Sequence, residues 1–261
     1  MNNISKNKVS TLYLKDQYLD KTIPYLISSD IIEYDIRSAG YSLSRHYHLL
    51  NDDVLNLLDT LPKKDRQIKI GLLLRDDAEY NRRLKEAFVN IRKEFFIANS
   101  LIDDDILSIK KDAIFLLRRV SQTRFGEDIE FVEKNVYSSY YYINKKEFYV
   151  ARDRLDVKGI SEKNLEPHRE YMLDFLHNIF KMIETSDQRY VIKELVSFVD
   201  HYKSGNLDIH YYRELSNECE YRLKRKFAGY DMGLIDTDDV DDLNISYNYM
   251  NYIRPLISIL Q

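Results

Sequence analysis

Two apolar runs, each handing over to an acidic residue, limit most strongly what this chain can fold into. Ile31-Ile32-Glu33-Tyr34 reads as an extended strand that delivers Asp35 at its end, after which Ser38, Leu43, Tyr47 and Leu50 can line one face of a helix. Further on, Ile106-Leu107-Ser108-Ile109 and Ala113-Ile114-Phe115 flank the polar turn Lys110-Lys111-Asp112, the pattern of a tight hairpin. If the strand and the hairpin are neighbours in one sheet, the carboxylates of Asp35 and Asp112 can meet. Two hard oxygen ligands held close together are what Mg²⁺ needs to bridge substrate phosphates, the minimum for metal-assisted phosphoryl transfer.

These stretches resemble the palm motifs of family B DNA polymerases. The first is similar to a motif in which an aspartate is followed three positions on by a serine, then by a tyrosine and a small polar residue, here Asp35, Ser38, Tyr41 and Ser42. The second is similar to a hairpin with Asp-Thr-Asp at its turn, of which this chain keeps the last aspartate as Asp112. A third echo follows in the right order: Lys145-Lys146-Glu147-Phe148-Tyr149 and then Asp156-Val157-Lys158-Gly159-Ile160, similar to the family's Lys-Lys-x-Tyr-like strand and Lys-Gly turn. The resemblance spans residues 28–160. It implies a palm-like antiparallel sheet, catalytic and metal-binding roles for Asp35 and Asp112 with Mg²⁺ or Mn²⁺ as cofactor, and Tyr41 beneath the sugar of an incoming nucleotide. It also implies nucleic-acid backbone contacts by Lys145, Lys146 and Lys158.

The chain departs from the family in two places. Lys110 stands where the family has an aspartate and puts a positive charge beside the proposed metal pair. The family's fingers run, a lysine followed by Asn-Ser-x-Tyr-Gly, is absent between the two motifs. In its place is the basic segment 81–93, with apolar residues at Leu84, Phe88 and Ile91, then Phe95, the spacing of an amphipathic helix. Arg83 and Lys85 on its outer face either bind the triphosphate or form an ordinary solvated face.

A chain of 261 residues with 44% hydrophobic content can bury one large core or two small ones, and its single Cys219 excludes an internal disulfide framework. No run of eighteen apolar residues occurs and residues 1–17 are polar, which sets the expectation of a cytoplasmic protein without a membrane partner. With a formal net charge of −4, any nucleic-acid binding must come from local basic patches. Twenty-two tyrosines and no tryptophan, with many Ile, Lys, Asn and Asp, fit the coding bias of an AT-rich genome, such as a phage or mobile element. The strand Val136–Ile143 carries Tyr140 and Tyr142 on one face and Tyr141 on the other, as a base-stacking platform or as cross-strand pairs filling a half-buried sheet.

Other clusters carry weaker signals. His46 and His48 lie two apart and diverge on a helix. Asp103-Asp104-Asp105 either caps the hairpin strand or assists the metal pair. The acidic run Asp236 to Asp242 lacks the central Gly and terminal Glu of a calcium loop and reads as a solvated segment. No glycine-rich phosphate loop is present.

The coarse organisation is α+β. Strands are expected at 10–15 and 31–36, helices over 37–60, and a helical hairpin from Lys63 to Ser100 broken near Arg75-Asp76-Asp77, where Asp76 or Asp77 caps the second helix. The 105–119 hairpin and strands at 128–133, 137–143 and 146–151 follow. Beyond Gly159, Met172, Leu176, Ile179 and Ile183 repeat at helical spacing, as do Val191, Leu195, Phe198 and Tyr202, with Ser186-Asp187 as the cap between them. Further helix is expected over 208–228 and from Tyr252 to Leu260. The domain expectation is a palm-like domain over 1–160 with an inserted helical hairpin, then a helical thumb-like subdomain over 161–261.

The leading functional expectation is metal-dependent nucleotidyl transfer on a primer-template. The rival is a non-catalytic palm-derived scaffold that binds nucleic acid or a replication or transcription protein. A third reading is that the echoes are accidental.

Overall fold

The fold is α+β, and its computed structural model describes residues 8–218, 226–227, 230–231 and 247–260. The elements run β1 (Gln17–Leu19), β2 (Tyr25–Leu26), β3 (Ile31–Ile36), α1 (Ala39–His46), α2 (Asp52–Thr60), α3 (Lys63–Asp76) and α4 (Ala78–Ala98). Then come β4 (Ile106–Lys110), β5 (Ala113–Leu116), β6 (Arg124–Phe125), β7 (Ile129–Tyr137), β8 (Ser139–Ile143), β9 (Lys146–Val150) and β10 (Leu155–Lys158). The remainder is α5 (Glu162–Leu165), α6 (Met172–Thr185), α7 (Gln188–Lys203), β11 (Lys226–Phe227), β12 (Tyr230–Asp231) and α8 (Arg254–Ile259).

Helices start where short polar side chains take up the orphan amides of the first turn. Asn51 accepts from the Val54 N–H at 2.9 Å, Asp77 from Tyr80 at 2.9 Å and Asp187 from Arg189 at 2.8 Å. Asp77 is the cap that divides α3 from α4, while Asp76 pairs with Arg75 at 2.7 Å.

Three expected elements differ. The segment expected as a strand over 10–15 contains the 3-10 turn Leu12–Leu14, and β1 begins at Gln17. The helix expected over 208–228 is, within its described residues, the 3-10 turn Ile209–Tyr212, started by the Asp208 carboxylate, and the short strand Lys226–Phe227. At the C-terminal end a π-helical turn, Tyr249–Ile253, leads into α8, whose first turn takes Pro255 without losing a needed donor. Cys219 and the acidic run 236–242 lie outside the described residues.

The chain forms two compact units, one of residues 1–20 and 30–136 and the other of residues 21–29 and 137–261. In the first, six strands are ordered β1-β4-β5-β3-β7-β6. β1 with β4, β4 with β5, β5 with β3 and β6 with β7 run antiparallel. Its core sets Ile32, Tyr34 and Ile36 of β3 against Leu84, Phe88, Ile91 and Phe95 of α4, so the spacing read along 84–95 is the buried face of that helix. In the second, four antiparallel strands ordered β10-β9-β8-β2 share a core with α6, α7 and α8. Met172, Leu176, Ile179, Val191, Leu195 and Tyr202 are buried there, as their spacing predicts, while Ile183 and Phe198 of the same runs are half-buried against that core. His168 is buried in this unit, and burial holds its pKa down at about 4, so it packs as a neutral ring. Among the described residues no helix is long and apolar enough to cross a membrane.

Candidate functional site

β3 lies inside the six-stranded sheet, and five of its six residues are buried. Strand alternation puts Ile32, Tyr34 and Ile36 on the core face and Glu33 and Asp35 on the other. The hairpin β4–β5 pairs Lys110 with Ala113, leaving Lys111-Asp112 as a two-residue loop in which Lys111 takes φ of 59°. In the β3–β5 register Asp35 stands opposite Ala113. The residue next to Ala113 is Asp112, so the sheet brings the two expected carboxylates to one place.

The loop is anchored from below by Arg92, which is fully buried. Its guanidinium donates to the Lys111 carbonyl at 2.8 Å, the Tyr13 carbonyl at 3.0 Å and the Asp16 carboxylate at 2.8 Å. The Lys111 N–H donates to the Asp16 carbonyl at 2.7 Å. Three well-aligned guanidinium bonds fix the loop as a rigid fork does, which a single ammonium could not reproduce.

Burial pushes the Asp112 pKa above the ordinary carboxylate range, and the negative charge of Asp35 pushes it further; Lys111 and Lys134 partly offset this. Lys134, on the neighbouring strand β7, places Nζ 2.8 Å from Asp35 Oδ2 and 3.8 Å from Glu33 Oε1. Its hydrogen bond to Asp35 raises the Lys134 pKa. Glu33, almost fully buried, accepts from Asn135 Nδ2 at 2.5 Å. Lys110, at the end of β4, stands opposite Gln17 on one side and Ala113 on the other.

Among the described residues no three His, Cys, Asp or Glu side chains gather as a closed metal cage. By donor chemistry, Asp35 and Asp112 supply the hard oxygens that a Mg²⁺-type ion takes, one or two protein carboxylates with the rest of its shell from water and substrate phosphate.

A cavity of about 230 Å³ opens at Asp112 and is lined by Ser38, Tyr41, Lys63, Arg66 and Lys111 among others. Arg66 stacks its guanidinium 4.2 Å from the centre of the Tyr41 ring, and its Nε is buried with no acceptor among the described residues. The Tyr41 hydroxyl donates to Asp59 and accepts from Arg45 at 3.0 Å, so the ring is held firmly. Gly40 lets α3 approach: a Cβ there would sit 3.1 Å from Ile70 Cγ2.

The two expected triphosphate cations on α4 separate. Lys85 lines a neighbouring cavity of about 330 Å³ together with Asp16, Gln17, Asn81 and Lys111. Arg83 lines neither cavity; it donates to the carbonyls of His48 at 2.9 Å and Leu49 at 3.2 Å, tying α4 to the segment after α1. The cations at the Asp112 cavity are instead Lys63, Arg66 and Lys111. The signal for Lys63 and Arg66 in the sequence is a basic pair three apart in the first turn of α3, which shares one helix face, while Lys111 comes from the hairpin turn.

Lys145, Lys146 and Lys158 belong to the second unit and lie at one end of its four-stranded sheet. Asn144 and Lys145 form the β8–β9 turn with φ of 48° and 58°, leaving Lys145 exposed at the tip. Lys146 Nζ donates to the Gly159 carbonyl at 2.8 Å, and Lys158 pairs with Glu147 in the β9–β10 register. Of the two readings of the tyrosine strand, the structure has cross-strand pairs filling the sheet, with Tyr140 opposite Tyr149, and not a base-stacking platform. Tyr140 and Tyr141 are both fully buried, one packing on Tyr149 and the other stacked on Phe180 at 4.0 Å, because both faces of the strand are covered. Asp105 accepts from the Ile102 N–H and Arg118, the capping role rather than a metal role.

A family model described as Bacteriophage PBS1 gene 130 protein matches residues 8–261. No curated protein matches the chain.

Proposed function

The chain belongs to the phage family of the bacteriophage PBS1 gene 130 protein, and we propose that it carries out metal-dependent nucleotidyl transfer on a nucleic-acid primer-template. In this reading its first unit acts as a reduced palm resembling that of family B DNA polymerases. The observation that carries it is the strand register that sets Asp35 opposite Ala113, near enough to Asp112 for one charge to raise the other's pKa. Asp35 and Asp112 would hold Mg²⁺ or Mn²⁺, which when bound supplies neutralisation of phosphate charge and activation of the attacking hydroxyl.

Lys63, Arg66 and Lys111 would receive the triphosphate in the cavity beside Asp112. The Arg66 guanidinium, stacked on Tyr41 at the cavity wall, would add positive charge for an anion there. Tyr41, held by Asp59 and Arg45, would present its ring to the nucleotide sugar. Lys145, Lys146 and Lys158 would bind backbone phosphates, a contact that positions nucleic acid without reading its sequence. A cytoplasmic setting and a replication or transcription protein partner belong to the same proposal.

One observation favours the second reading, a palm-derived scaffold that binds nucleic acid without catalysis: Lys134 already pairs with Asp35. Extension of a labelled primer-template by the purified protein separates the two. The first reading expects extension with Mg²⁺ or Mn²⁺, none in EDTA, and none from the Asp35→Asn, Asp112→Asn double variant. No extension by either protein, with equal primer-template binding, would establish the scaffold instead.

A further inference from the structure

Lys134 gives the acidic pair a cation of its own. Its Nζ is 2.8 Å from Asp35 Oδ2, whereas a bound Mg²⁺ sits about 2.0–2.1 Å from its oxygen ligands. An ammonium and a divalent cation cannot share that oxygen at such range without strong repulsion. The Lys134 side chain is 52% exposed, so its flexible stem can carry the charge away. Glu33 offers it a second anchor on the same strand face: Glu33 Oε1 is already 3.8 Å from Nζ, in a carboxylate only 2% exposed and held by Asn135.

We infer that Lys134 is a built-in competitor of the divalent cation, neutralising Asp35 until metal binds and then shifting toward Glu33. It thereby sets the metal concentration at which the site fills. This inference rests on the reading of Asp35 and Asp112 as metal ligands.

The test is a Mn²⁺ titration followed by electron paramagnetic resonance, on the full chain and on Lys134→Gln, Lys134→Met and Asp35→Asn variants. Both Lys134 variants should bind Mn²⁺ about fivefold more tightly than the parent, the upper range for a half-exposed ion pair. They should match each other, since the ammonium and not the stem competes. Asp35→Asn should bind more weakly than any of them. Unchanged or weaker binding by both Lys134 variants, with Mn²⁺ binding by the parent, would overturn the competitor role and leave the metal site standing. No binding by the parent or by either Lys134 variant would overturn both.

Discussion

Asp112→Asn is expected to make the protein more stable and inactive at once. Burial and the neighbouring Asp35 charge raise the Asp112 pKa in the folded chain, so its ionised form costs folding free energy at neutral pH. The sign follows from linkage. The penalty is fully present above the raised folded pKa and disappears as pH falls below the unfolded value near 4. Asparagine keeps the shape and an acceptor oxygen while removing the charge. The variant should therefore melt at a higher temperature than the parent at pH 7, with the gap closing in acid. Primer extension should fall about a thousandfold, because a lost metal ligand removes several kcal/mol of transition-state stabilisation. Mg²⁺ should raise the melting temperature of the parent, by mass action on the folded state, and leave the variant unmoved. A lower melting temperature for the variant at neutral pH would contradict this electrostatic description of the site.

Arg92→Ala should destabilise the fold strongly while leaving the acidic pair itself intact. It removes a fully buried side chain and leaves the Lys111 and Tyr13 carbonyls without their donor. Orphaned acceptors and an unfilled cavity together cost about 3 kcal/mol. Asp16 limits the loss, since its side chain is 57% exposed and water can solvate it. Urea unfolding would show the change as a lower midpoint at an unchanged slope. Arg92→Lys should recover only part of it, because an ammonium cannot reproduce the three directed bonds. A loss below about 1 kcal/mol for the alanine variant would mean that the Lys111-Asp112 loop is held by the hairpin alone.

Local signals made much of this legible from sequence. The 105–119 hairpin follows from two apolar runs around a polar turn, and the break between α3 and α4 follows from the pair Asp76-Asp77, of which Asp77 is the cap. The neighbouring of β3 and the hairpin in one sheet, which the sequence leaves as a condition, is present as the β3–β5 pairing. Long-range partners were not legible. Lys134 meets Asp35 only because β7 flanks β3, and Arg92 meets Lys111 only because α4 crosses beneath the hairpin. Arg83 looks free on a helix face, yet backbone carbonyls from another segment claim it. Alternation along β8 predicts opposite faces for Tyr140 and Tyr141 but cannot tell that both are covered.

Anomalous diffraction from crystals soaked in Mn²⁺ tests the central claim most directly. A Mn²⁺ peak within ligand distance of both the Asp35 and Asp112 carboxylates, with Lys134 drawn away from Asp35, is the expected result. Density that leaves both carboxylates unbound and Lys134 in place on Asp35, with Mn²⁺ seated elsewhere or nowhere, would contradict it.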